Sequence, residues 1–409
     1  MILKKIDEKS YEEFVIRSGQ GSMYQSIEWF NLKKLEGKKC ELLGLFSNDK
    51  LVGVSLIIYS RVLKKYYFAY ASRGFIYNYQ DILGFKKALI KYFKKKKVIF
   101  FRMDPLIVLA KYNKNMKKEE ILESRQLIEG LKFYGFKHYG FNRGFETMQF
   151  RFVHVLDVAS DFDEQMQGMS KSTRKNMDLA KFRGVRFRKC GLQDIDIAEK
   201  FFEMSSERKH FKGFDNKYYE RLYKAFKNSL TLYITYIDKN VYINNINNKL
   251  NDLRRDLEEL HYKMVHDNVG KKLKNQELLL NQAMQKYKEE LKSAKELKDK
   301  TDIAAMLTIS KYKEVVSYVS GMDNHYRKFN PKYVMYPAMI KDAINENLKT
   351  INFLGVKNIF DKDDSDYGVY DVKRGFGGNT LEYVGEFDLP IKKVLYRIYK
   401  LKNRLKGGK

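Results

Sequence analysis

Residues 244 to 305 constrain this chain more than any other stretch, because two successive apolar ladders can be buried in only a few ways. Leu250, Leu253, Leu257, Leu260 and Met264 recur at spacings of three and four, and after a break at Val269 and Gly270 a second ladder follows at Leu280, Met284, Tyr287, Leu291 and Ala294. Each ladder gives a helix one apolar seam, and such a seam is covered by another like it, so the sequence predicts an antiparallel two-helix coiled coil. With about 25 residues per limb and ~1.5 Å of rise per residue, this arm spans ~35–40 Å. Its charges nearly cancel: Lys249, Arg254, Arg255, Lys263, Lys271 and Lys272 stand against Asp252, Asp256, Glu258, Glu259, Glu289 and Glu290. The arm therefore reads as an insertion in a hairpin turn, suited to shape recognition of a partner or to contacts between copies of the chain. Its removal is expected to leave the rest folded.

The flanks repeat one another. Strand patterns at 41–46, 51–59 and 66–70 precede a helix at 81–95 and a strand at 98–103; strand patterns at 230–237, 304–310 and 315–321 precede a helix at 336–348 and a strand at 350–355. The arm fills the turn between the first two strands of the second set. Residues 10–35 read as helical with Ser26 as an N-cap, 168–189 as a helix and short strand, 371–388 as strands, and 391–405 as a basic amphipathic helix. A chain of 409 residues exceeds the usual size of one core. The expected organisation is a first domain over 1–150, a second over 151–243 and 306–390, the arm over 244–305, and a C-terminal helix, 391–409, packed back on the first domain. The class is α/β (α+β). The element order resembles the acyltransferase fold of the GCN5-related N-acetyltransferases, present twice.

Charge narrows the partners. Lys and Arg number 79 against 51 Asp and Glu, a net +28, which suits a polyanion such as nucleic acid, a phosphate-bearing substrate or an acidic membrane surface. The ordinary alternative is a solvated lysine-rich surface. Two segments are one-sided. Lys171, Arg174, Lys175, Lys181, Arg183, Arg186, Arg188 and Lys189 are accompanied by one acid, Asp178; Lys392, Lys393, Arg397, Lys400, Lys402, Arg404 and Lys406 follow the last acid of the chain, Asp388. Either fits nucleic acid or lipid headgroups. Cys40 and Cys190 suggest neither a disulfide framework nor a zinc site, the six histidines lack metal spacing, and neither metal nor cofactor is expected. The first residues have no apolar signal stretch, and the longest apolar run, 51–59, is too short to span a bilayer. A cytoplasmic protein, peripheral at the inner face of the plasma membrane, is expected.

Several motifs together carry a family resemblance: 170–176 through 180–185, 326–331, the segment Lys373, Arg374, Gly375, Phe376, Gly377, Gly378, and 383–388. They resemble the FemABX family of non-ribosomal aminoacyltransferases that build peptidoglycan cross-bridges, over most of the chain, and the arm looks like the coiled coil of Fem and MurM-like members. The resemblance implies transfer of an amino acid from aminoacyl-tRNA to a stem-peptide amine of lipid II or a nucleotide-linked muropeptide precursor.

It also implies roles for single residues. Lys373 stands where relatives carry a lysine assigned to stabilising the tetrahedral oxyanion of ester aminolysis; alone it reads as a solvated lysine beside a glycine turn. Trp29 and Lys33, one helical turn apart, resemble an element whose lysine meets precursor phosphate, or are simple packing with a snorkelling lysine. Arg73 and Tyr79 look like the loop at the acceptor cleft. Asp104, ending a buried strand before Pro105, suits orientation or deprotonation of the acceptor amine, or forms a common Asp-Pro turn. Relatives place an arginine four residues before a tyrosine pair, but Phe214 and Asp215 precede Tyr218 and Tyr219 here, so Lys212 or Lys217 is the expected substitute.

Two other functions compete. An acyl-CoA-dependent N-acyltransferase is one, although Arg374 to Asn379 departs from a pyrophosphate loop at its last position. The other is a non-catalytic nucleic-acid or membrane adaptor on the same scaffold.

Overall fold

The computed structural model describes residues 1–63, 65–144, 147–208, 213–266, 270–364 and 366–405, with the backbone alone for residues 404 and 405. Two sheets form its frame. The first, of seven strands, runs in the order Ile2–Lys5, Lys39–Ser47, Lys50–Leu63, Tyr66–Ala71, Val98–Met103, Phe387–Pro390, Lys137–His138. The second, of nine, runs Val185–Cys190, Leu230–Asp238, Lys300–Lys311, Glu314–Met322, Thr350–Gly355, Phe152–Asp157, Asn379–Tyr383, Val108–Tyr112, Lys118–Glu120. Each contains the same run of pairings, antiparallel, antiparallel, then parallel across a helix. That parallel step needs a crossover, and the helices Ile82–Lys94 and Lys332–Asn345 supply it.

The sheets exchange strands. Phe387–Pro390, late in the chain, completes the first sheet beside Val98–Met103, while Val108–Tyr112, early in the chain, pairs with Asn379–Tyr383 in the second. Arg102 and Asp388 lock the first exchange with a buried ion pair of 2.7 Å. Both halves also share one apolar core, in which Tyr11, Val15, Trp29 and Leu56 meet Phe201, Phe226, Leu232 and Leu307.

Local chemistry accounts for the helix starts. Ser26 caps Ile27–Leu35 by accepting the Trp29 N–H at 3.1 Å, and Asp215 caps Asn216–Phe226 by accepting that of Tyr218 at 2.8 Å. The stretch read as helical over 10–35 holds two α-helices, Glu8–Ser18, ended by Gly19 at a left-handed φ of 66°, and Ile27–Leu35, begun at the expected Ser26 cap. Residues 367–375, partly read as strand, form the helix Tyr367–Gly375, so Lys373 stands on a helix.

The arm consists of Lys239–His266 and Lys271–Lys295, joined by His261 bonding Glu277 across the pair at 2.8 Å. It starts before residue 244, and 300–305 belong to the strand Lys300–Lys311 rather than to the arm. Its root is core: Ile246, Leu250 and Ala294 pack with Ala180, Val185, Ile303 and Phe329. Toward the tip, Tyr262, Val265, Leu278 and Leu279 are exposed. Excision of 244–305 therefore uncovers this core and cuts a central strand. Replacing 262–276 by a short turn is expected to leave the thermal midpoint within about 2 °C, because none of the described residues removed is buried; differential scanning calorimetry of both deletions separates them.

Glu41, on Lys39–Ser47, tests the first sheet. Burial pushes its carboxyl up, but Lys96 at 2.6 Å, Tyr59 at 2.7 Å, Tyr92 at 2.8 Å and Lys5 at 3.0 Å outweigh it and hold the pKa at about 2. A pKa depressed in the folded state stabilises above the unfolded value and fades as pH falls towards 2. Glu41→Gln is therefore expected to cost about 3 kcal/mol at pH 7 and much less near pH 2.5, read from urea unfolding at both. Among the described residues no helix is long and apolar enough to cross a membrane.

Candidate active site

The turn after Tyr66–Ala71 brings the halves together. Arg73 adopts φ 53°, a conformation a non-glycine residue holds only when its surroundings demand it. The demand is visible: its N–H donates to Asp104 Oδ1 at 2.9 Å, while Gln25 Nε2 donates to the Ser72 carbonyl at 2.6 Å. Gly74 has no room for a side chain, since a Cβ there would meet Ser55 Oγ at 2.5 Å. Gln25, wholly buried and also accepting from Tyr11 and from the Leu56 N–H, is a positioning group that the sequence did not single out.

Arg73 then reaches across. Its guanidinium donates to the Phe150 carbonyl at 2.6 Å, lies 4.6 Å from the Tyr383 ring centre, and stands 3.7 Å from Asp104 Oδ2. Asp104 is 2% exposed, and burial raises its pKa to about 7; Arg73 pulls it down and Glu386 pushes it further up. Glu314 enters from the second sheet, also raised to about 7 by burial against the pull of Asn352 and Arg73. Tyr79 supports this wall from behind: its ring is buried against Tyr77 and Phe85, and its hydroxyl donates to the Phe75 carbonyl at 3.0 Å.

Lys373 is buried, 7% exposed, with Nζ donating to the Gly355 carbonyl at 2.8 Å. Gly355 ends Thr350–Gly355, the strand whose Asn352 donates to Glu314 at 3.0 Å. A Cβ on Gly355 would strike the Phe150 ring at 2.3 Å. One strand end thus links Lys373 to Glu314 and, through Phe150, to Arg73. The glycines after Lys373 serve packing. A Cβ on Gly375 would meet Thr173 Oγ1 at 2.3 Å and one on Gly378 the Val155 carbonyl at 2.1 Å, while buried His154 bonds the Gly377 carbonyl at 2.8 Å. Burial lowers the His154 pKa to about 4, leaving the ring neutral. This glycine turn follows a helix and enters a strand, so it presents a helix C-terminus and not the N-terminal amides that hold a pyrophosphate.

An aromatic cluster adjoins the wall. Tyr24 sits edge-on to Trp29 at 4.9 Å, and its phenol is pushed up by burial against the pull of Arg73. Phe226 and Tyr318 flank Trp29, and Phe214 stacks on Tyr218 at 4.0 Å. The buried Trp29 Nε1–H has no hydrogen-bond partner among the described residues. Lys33 Nζ lies 4.5 Å from the Trp29 ring centre and 2.9 Å from Glu36, and burial lowers its pKa despite that carboxylate. Arg221 is near enough to oppose the Lys33 charge. It lies three residues beyond Tyr218, on the opposite side of the tyrosine pair from the expected arginine position. Lys217 is exposed on the same helix and Lys212 lies outside the described residues. A cavity of about 710 Å³ opens along Ile27–Leu35 beside Lys34 and Lys227; it touches Phe226 of the cluster but is not lined by Trp29, Lys33 or Arg221.

The basic segment is partly consumed internally. Arg183 bonds Glu290 of the arm at 3.0 Å, Arg174 donates to the Met166 and Met169 carbonyls, and Arg188 and Lys189 pair with Asp302 and Asp342. Lys171 and Lys175 stay exposed, as does Arg397; the Arg404 side chain lies outside the described residues.

Residues 6–404 match the model of the FemAB family. The chain belongs to that family. This FemAB protein is 28% identical over 408 residues to aminoacyltransferase FemA of Staphylococcus epidermidis, covering 97% of this chain and 98% of that one. The FemA of Staphylococcus aureus strain N315 is 28% identical over 398 residues, covering 93% and 94%. A crystal structure of FemX shares its fold, with a TM-score of 0.73 and 23% identity over 97% of this chain and 99% of that one.

Proposed function

We propose that this FemAB aminoacyltransferase moves an amino acid from the ester of an aminoacyl-tRNA to the stem-peptide amine of a peptidoglycan precursor, lipid II or its nucleotide-linked form, at the inner face of the plasma membrane. The observation that carries the reading is the joining of buried Lys373 to the Arg73–Asp104 wall through Gly355 and Phe150. The acceptor amine attacks the ester carbonyl, a C–N bond forms, the C–O bond to tRNA breaks, and the ribose hydroxyl leaves. The Lys373 ammonium faces the negative charge that develops on the carbonyl oxygen. Asp104, whose pKa burial raises to about 7, takes the proton from the amine and delivers it to the departing ribose oxygen. Lys33 and Arg221 hold precursor phosphate beside the aromatic faces of Trp29 and Tyr218. The two sheets are read as two acyltransferase-like units, built mainly from 1–150 and 151–390 with their exchanged strands, and the arm as a coiled coil.

Purified protein supplied with charged tRNA and lipid II is expected to yield a branched muropeptide, detected by mass spectrometry. Transfer from acyl-CoA with no tRNA present would overturn the reading.

A further inference from the structure

Among the described residues, the helix Lys393–Leu405 is held by one face. Tyr396 and Tyr399 pack on Phe100 at 5.3 and 5.1 Å, the Tyr396 hydroxyl donates to Asp388 at 2.9 Å, and Lys400 Nζ donates to the Tyr139 hydroxyl at 3.1 Å. Docking in this way leaves Val394 at 69%, Ile398 at 47% and Leu401 at 58% exposure. Their spacing of four and three puts the three on one stripe. Lys393, Arg397 and Lys402 flank it, all exposed, and no acid follows Asp388. Beside the docked face a cavity of about 380 Å³ is lined by Lys137, His138, Tyr139, Tyr396 and Lys400, a setting with two ammonium groups for a headgroup phosphate.

We propose that the outward face of this helix seats on an anionic bilayer surface, with Val394, Ile398 and Leu401 entering the headgroup–acyl boundary and Lys393, Arg397 and Lys402 meeting lipid phosphates. An aliphatic stripe between cations is the pattern of an interfacial helix. RNA uses the same cations but offers no apolar phase for three aliphatic side chains, so the stripe favours lipid over tRNA. The inference deepens the membrane part of the function proposed above and rests on it for biological context only. Vesicle binding requires neither donor nor acceptor, so the two ideas fail separately.

Co-sedimentation of the full chain with phosphatidylglycerol–phosphatidylcholine vesicles is the test, against pure phosphatidylcholine and against deacylated tRNA. Capture on the anionic vesicles, weakened by salt and nearly absent on pure phosphatidylcholine, is expected. The triple variant V394S/I398S/L401S should lose roughly tenfold or more of the partitioning, keeping its thermal midpoint and its transfer to a soluble acceptor. Lys393→Glu with Arg397→Glu should abolish the preference for anionic lipid. Undiminished vesicle binding by the triple variant, or a fall in tRNA retention with vesicle binding intact, overturns the proposal.

Discussion

Replacing Lys373 with alanine is expected to lower kcat about 10²–10³-fold while KM for donor and acceptor stays within about threefold. An ammonium that meets charge only as the tetrahedral species forms contributes to turnover and little to ground-state binding. The substitution also leaves the Gly355 carbonyl without this donor, a loss worth about 1–3 kcal/mol. Gly355 is wedged against Phe150, so its backbone has little freedom to find another partner. Lys373→Met keeps most of the stem volume and separates the two effects: both variants should share the turnover defect at temperatures where calorimetry shows each fully folded. Lys373→Arg is not expected to rescue, because a planar fork does not replace a compact ammonium in a closed site. Near-normal kcat in both Ala and Met variants would make Lys373 a strut and favour an adaptor role.

Asp104→Asn is expected to lower kcat by about 10²–10⁴ and to remove the rising limb of the pH–rate profile, whose midpoint in the parent enzyme should fall near pH 7. Glu314 titrates in the same range and also feels Arg73, so Glu314→Gln is the necessary control. If the limb belongs to Asp104, it survives Glu314→Gln. Stability supplies an independent check. A carboxyl raised to about 7 in the folded state against 3.8 binds more protons folded than unfolded, so its contribution is present at low pH and lost as pH rises through 7. Asparagine cannot titrate. The thermal midpoint of the parent should therefore fall more steeply between pH 5 and pH 8 than that of Asp104→Asn.

The strand at 98–103 was legible because a buried strand is a nearly continuous apolar run, and those at 230–237 and 350–355 because apolar and β-branched residues recur at alternate positions. Trp29 and Lys33 were legible as a shared helix face, and the structure puts the ammonium over the ring. Other features left weaker marks. The segment Tyr367–Gly375 holds one ordinary helical stretch between a loop and a glycine turn, and its Val and Tyr residues mimic a strand. Arg183 looked like a surface cation because its partner, Glu290, is 107 residues away on the arm. Arg221 was missed because a search by motif spacing looks at one side of a tyrosine pair, whereas charge recognition needs only that the cation reach the same space as Lys33. Gln25 carries no sequence signal at all; its value comes from the Ser72 carbonyl, the Leu56 amide and the Tyr11 hydroxyl converging on one buried amide.

The exchanged strands set a timetable for synthesis. Arg102 is polymerised 286 residues before Asp388, the carboxylate that neutralises it, and the strand carrying Asp388 leaves the ribosome long after Val98–Met103, its partner in the sheet. The N-terminal half emerges with an open strand position and an uncompensated guanidinium, and closure of such a distant pairing is slow and exposes a sheet edge meanwhile. A chain cut after residue 380 therefore presents an open position beside Val98–Met103, and limited proteolysis of that truncation is expected to cleave the first sheet faster than in the full sequence.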